Sequence, residues 1–161
     1  MIEESVEIQY GNRLRLRVAG VCIRNQRILL INHSGLNSEN EFWAPPGGGL
    51  HFGESAIECL HREFREETGL QIKTDEFIKV IEYVNPPLHA IELFFKVTMI
   101  GGTMDKGSDP EVSNENQIIR DIEFLSFEEL LQIPERKKHS ILKGVKSFDD
   151  LYEKSGYSKY P

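Results

Sequence analysis

The sequence predicts a single α/β domain, and three observations carry that prediction. Strand-like and helix-like segments follow one another in mixed order rather than segregating into blocks. At 161 residues the chain is long enough to bury a hydrophobic core and fits one domain. No internal repeat, linker or low-complexity tract divides it, so the expected domain is 1–161.

Residues 5–10 and 13–23 read as strands joined by a turn at Gly11-Asn12. In the second, Leu14, Leu16 and Val18 alternate with Arg13, Arg15 and Arg17, the two-residue period of a half-buried strand. On that reading the arginines form a solvated face rather than a phosphate clamp. Ile28-Leu29-Leu30-Ile31 is a short apolar run suited to a buried strand. A polar loop, 33–41, leads into Phe42-Trp43-Ala44-Pro45-Pro46-Gly47-Gly48-Gly49, whose prolines and glycines preclude regular helix. Residues 55–68 then read as a helix with Ile57, Leu60 and Phe64 on one stripe and Gly69 as its stop. Strands are expected at 77–84 and 90–100, around a turn containing Asn85-Pro86-Pro87. A polar loop at 101–116, a strand at 118–125 and a short helix at 127–132 broken at Pro134 follow. Ile141, Leu142, Val145, Phe148 and Leu151 predict a final amphipathic helix, with Gly144 as its weak point.

With 26 acidic and 19 basic residues the net charge is −7, which argues against a general nucleic-acid binder. It leaves room for a phosphate-bearing small molecule, because a divalent cation can supply positive charge locally. No apolar run approaches the ~18 residues of a membrane span, and the acidic start Met1-Ile2-Glu3-Glu4-Ser5 is unlike a secretory signal. The expectation is a cytoplasmic protein with no membrane partner. Cys22 and Cys59, flanked by apolar residues, read as buried structural thiols.

The chemistry concentrates in residues 48–70. On the expected helix, Glu66 and Glu67 fall on either side of Glu63 within roughly a 100° arc. Three carboxylates on one face repel one another, and a hard divalent cation would relieve that repulsion. Interleaved with Arg62 and Arg65, the same glutamates would also suit a solvated helix face. A Pro-Pro-Gly-Gly-Gly loop ahead of the helix has no use on that second reading, whereas it can bring backbone groups close to an ion or a phosphate.

The stretch resembles the Nudix box: Gly48, Glu54, Arg62, Glu63, Phe64, Glu66, Glu67, Gly69 and Leu70 stand with every spacing of that motif intact. Phe64 replaces the usual aliphatic residue and keeps its apolar role. Trp43 with Pro46-Gly47-Gly48 before the box, and Phe124 with Glu128-Glu129-Leu130 after it, are similar to the family's flanks. The resemblance implies the Nudix fold, a mixed β-sheet sandwiched between α-helices, and a hydrolase that cleaves the diphosphate linkage of a nucleoside diphosphate derivative using Mg2+ or Mn2+. It implies Glu63 and Glu67 as principal metal ligands, Glu66 as a third, the Gly48 backbone carbonyl as a further one, and Glu54 with Arg62 as a structural pair. A glutamate outside the box often acts as base, which nominates Glu111 and Glu115. His51 and His61 occupy free positions of the motif and are read as non-catalytic. Phe42, Trp43 and Tyr83 are candidate platforms for a nucleobase and equally candidates for core packing. Pro86, sixteen residues past Leu70, resembles a marker of ADP-ribose hydrolases in this family, and equally suits a tight turn. A triphosphate pyrophosphohydrolase of the house-cleaning type and a non-catalytic nucleotide sensor are the alternative functions. The partner is then a small-molecule nucleotide, and a homodimer is left open, with the C-terminal helix as the surface that could meet a second copy.

Overall fold

The structure, a computed structural model, describes residues 7, 8, 10–37, 39–105, 119–153 and 156–160. Their order is β1 (Arg13–Arg24), β2 (Arg27–His33), β3 (Phe42–Ala44), β4 (Gly47–Gly49), α1 (Ala56–Thr68), β5 (Leu70–Asn85), β6 (Leu88–Gly102), β7 (Ile119–Ser126), α2 (Phe127–Gln132), α3 (Asp150–Glu153) and β8 (Gly156–Tyr160). Two single-turn 3-10 helices, Glu135–Lys137 and Ser140–Leu142, lie between α2 and α3. The strands form a mixed sheet in the order β3-β2-β1-β6-β5-β8, with β4 paired to β1 and β7 to β2. β1 runs parallel to β6 and antiparallel to β4, setting Val18 opposite Gly48 and Arg17 opposite Gly49.

Apolar clusters lie on both faces of the sheet. Val18, Cys22 and Leu29 join Cys59, Leu60 and Phe64 of α1 on one side, while Ala19, Val21, Ile28 and Leu30 join Trp43, Phe94, Leu130 and Leu142 on the other. Strands covered on both faces read as continuous apolar runs, which explains the unbroken 28–31 segment. Helix α1 has the caps its sequence requires. Ser55 and Glu58 form a reciprocal capping box, and Gly69, at φ 72°, closes the C-terminus in the left-handed conformation. Phe64 is fully buried against Gly20, where a Cβ would come within 2.6 Å of its ring, so the larger ring is matched by a missing side chain across the interface.

Three expectations are corrected. Glu7, Ile8 and Tyr10 are helical rather than extended, and the Gly11 N–H donates to the Glu7 carbonyl at 2.8 Å. The final amphipathic helix does not form. Gly144 takes φ 66°, and the segment breaks into the 3-10 helix Ser140–Leu142, turns and the short α3, which still bury Ile141, Leu142, Val145 and Leu151. The apolar residues were correctly placed inside, but by a broken run of short elements rather than by one helical period. The third correction concerns β1. Its alternation holds, but Leu14 and Leu16 are 60% and 41% exposed while Arg15 and Arg17 face a cavity. Helix α1 covers the strand at Val18 and Gly20 and stops short of its N-terminal half, so the apolar side there is left uncovered. Strand β8, wholly exposed, adds an edge parallel to β5 that its polar sequence did not announce.

Candidate active site

The cavity, about 380 Å³, opens between β1, β6, the β3–β4 segment and the turns after Pro134. Glu63 and Glu67 of α1 line it although they are only 8% and 6% exposed. One helical turn separates them, and both sit against β4. The Gly47 N–H donates to Glu67 Oε2 at 2.9 Å. At Gly48 a Cβ would lie 2.3 Å from the Glu63 carboxyl group, so only glycine permits that carboxylate to rest on the strand.

Arg62 organises the outer side of this helix. Its guanidinium donates to Glu54 Oε1 (2.7 Å) and Oε2 (3.0 Å), to the Gly49 carbonyl (3.1 Å), to Glu63 Oε1 (2.7 Å) and to Glu66 Oε2 (3.0 Å). The bidentate contact holds the Glu54 carboxyl down to about 2 and ties the loop to the helix. Glu63 moves the other way: burial raises it, and Arg62 only partly opposes that. Among the described residues no three His, Cys, Asp or Glu side chains already ring an ion, since Arg62 draws Glu63 and Glu66 toward itself. Glu66 does not line the cavity.

Phe42 and Tyr83 line the cavity. Trp43 does not. Alternation along the three-residue β3 sends Phe42 and Ala44 to the cavity and turns the indole into the core, with its N–H donating to Glu41 at 2.9 Å. Glu111 and Glu115 lie outside the described residues. His51 is exposed and His61 pairs with Thr74 at 3.0 Å, away from the cavity. Both cysteines are buried and free, and burial pushes the Cys59 thiol up to about 12.

The pattern of residues did not disclose the opposite wall. There Glu92 of β6, 8% exposed, lies between Arg17 (3.3 Å) and His139 (2.9 Å). Burial alone would raise Glu92, but His139 and Arg17 outweigh it and hold the carboxyl at about 2. His33 Nδ1 lies 3.3 Å from the Phe42 carbonyl, and burial pushes the ring down to about 4, neutral near pH 7. One signal could have revealed this wall: a lone glutamate inside Ala90-Ile91-Glu92-Leu93-Phe94-Phe95 is a charge in an apolar strand, which is kept only when paired.

A NUDIX domain model matches residues 14–143. The chain belongs to the Nudix family. Over 94 residues it is 34% identical to an ADP-ribose pyrophosphatase of Methanocaldococcus jannaschii, covering 57% of this chain and 55% of that protein. Over 93 residues it is 33% identical to a MutT-like protein of Streptomyces ambofaciens, covering 57% and 56%. The chain thus spans about half the length of these curated relatives. A MutT protein structure from Methanosarcina mazei superposes with a TM-score of 0.63 at 18% identity, over 88% of this chain and 92% of that one. A UDP-X diphosphatase structure gives 0.61 at 21% identity, over 92% and 66%. These likenesses establish the Nudix fold, with the box forming β4, α1 and the loop between them. No described helix is long and apolar enough to cross a membrane.

Proposed function

We propose that this Nudix domain hydrolyses the diphosphate linkage of a nucleoside diphosphate derivative with the help of a divalent cation. The observation that carries the reading is the buried pair Glu63 and Glu67, one helical turn apart, facing one cavity across a strand of glycines. Buried carboxylates need cationic partners, and an all-oxygen donor set suits a hard ion. Glu63, Glu67 and the Gly48 carbonyl would hold Mg2+ or Mn2+, with Glu66 as a third carboxylate. When bound, the cation neutralises diphosphate charge and activates the attacking water. The chain's own residues keep the carboxylates in place: Gly47 fixes Glu67 by its N–H, and Arg62 locks the loop to the helix through Glu54. Glu111 or Glu115, nominated by the family resemblance as a base from outside the box, is part of the proposal.

ADP-ribose or a related nucleotide sugar is the substrate class that fits best. Support comes from the likeness to the ADP-ribose pyrophosphatase of Methanocaldococcus jannaschii, from the aromatic walls Phe42 and Tyr83, and from Pro86 in the β5–β6 turn. A nucleoside triphosphate is the second reading, supported by the likeness to the MutT-like relative. A phosphate-release screen of nucleoside diphosphate derivatives and triphosphates, with Mg2+, with Mn2+ and with chelator, tests both. Turnover of a diphosphate derivative that disappears with chelator is expected; turnover insensitive to chelator, or none on any member of either class, sinks the reading.

A further inference from the structure

Arg17 is where the fold re-aims a residue that strand periodicity assigns to solvent. Its Nε–H donates to Glu92 Oε1 at 3.3 Å and its Nη2 to the Gly47 carbonyl at 3.4 Å. These contacts engage two of the five N–H donors of a guanidinium and anchor it in the cavity wall. Glu92 is fixed from its other side, with Oε2 2.9 Å from His139 Nε2. His139 Nδ1 accepts the Ile141 N–H at 3.3 Å, so Nε2 carries the hydrogen and donates to Glu92. Both nitrogens of that ring are therefore engaged within the protein. A buried ion pair of this kind adds little stability over apolar residues of similar volume; what it supplies is a fixed orientation. The group so oriented shares the cavity with Glu63 and Glu67, and its strand neighbour Val18 pairs with Gly48.

We propose that Arg17 is the anion-binding residue of this cavity, donating to the non-bridging oxygens of the substrate's diphosphate, and that Glu92 and His139 are positioning residues that hold its guanidinium in place. This assignment rests on the diphosphate-hydrolase reading and adds the side chain that grips the anion. A planar, fixed guanidinium matches phosphoryl oxygens bidentately, which a mobile point charge does not. The competing role is internal: Arg17 could serve only to offset the charge of Glu63 and Glu67.

Calorimetric titration with the non-hydrolysable α,β-methylene analogue of ADP, in Mg2+ and again in chelator, separates the two roles without turnover. R17Q is expected to weaken analogue binding about tenfold or more, R17K to recover part of the loss, and E92Q to weaken it several-fold. R13Q, on the exposed part of the same strand, serves as the control and is expected to bind as wild type. In steady-state hydrolysis E92Q is expected to raise KM more than it lowers kcat. A folded R17Q that binds the analogue within about twofold of wild type, or that merely tightens Mg2+ binding, overturns the proposal. Should R17Q not fold, a folded R17K with wild-type affinity overturns it equally, as does a wild type that binds no analogue. Arginine-dependent binding without any diphosphate turnover would refute the enzymatic reading and leave this one standing.

Discussion

One wall of the cavity buries Glu63 and Glu67 and the other buries Glu92, and Glu63 and Glu92 are compensated in opposite ways. Glu92 touches two partners, Arg17 and His139, and its carboxyl is held at about 2. Glu63 shares one guanidinium with Glu54 and Glu66, and burial raises it. A carboxylate that holds a guanidinium and a ring N–H belongs to the scaffold, whereas one whose contacting guanidinium is shared three ways leaves room for another positive charge. Neither carboxylate is accessible enough to be a solvated surface group, and the cavity between them is where their difference becomes chemistry.

The comparison can be broken from either side. The largest effect is expected from E63Q or E67Q, which should leave the circular dichroism spectrum native and reduce cation-dependent turnover by orders of magnitude. Full activity in either variant would remove the pair from the metal site. On the other wall, E92Q is expected to cost roughly 3 kcal/mol of stability at neutral pH. A depressed carboxyl contributes stability that is present above its unfolded value of 4.5 and is lost as pH falls through about 2. The melting difference between wild type and E92Q should therefore be constant above about pH 5 and shrink between 4.5 and 2; a difference independent of pH would show that Glu92 is not ionised in its pair. A smaller effect is expected from G48A. Its Cβ would meet the Glu63 carboxyl at 2.3 Å and push it off β4, so turnover should drop about tenfold while the melting temperature changes by only a few degrees. Unchanged turnover in G48A would mean that the position of that carboxylate on the strand does not matter.

Legibility differed between the walls for a physical reason. Helix α1, its Ser55 and Gly69 caps, the Glu54–Arg62 pair and the glutamate triplet lie within 23 consecutive residues, 48–70, where spacing alone dictates which side chains share a face. The other wall draws Arg17 from β1, Glu92 from β6 and His139 from the turn after α2. No local period connects positions that far apart. Trp43 illustrates the same limit at close range: its neighbour Phe42 reached the cavity and it did not, because alternation names two faces without saying which one is hollow.

What the chain by itself determined was the family, the helix that carries the glutamates and the glycines that let them approach the strand. These follow from local geometry: a helical turn, a cap, a missing Cβ. Only the tertiary structure decided that Arg15 and Arg17 of β1 look into a cavity, that the C-terminal apolar residues are buried without one continuous helix, and that Glu92 is satisfied while Glu63 shares its contacting guanidinium. Those outcomes depend on which strand lies beside which and how far α1 reaches along β1, and both are set by long-range register and packing.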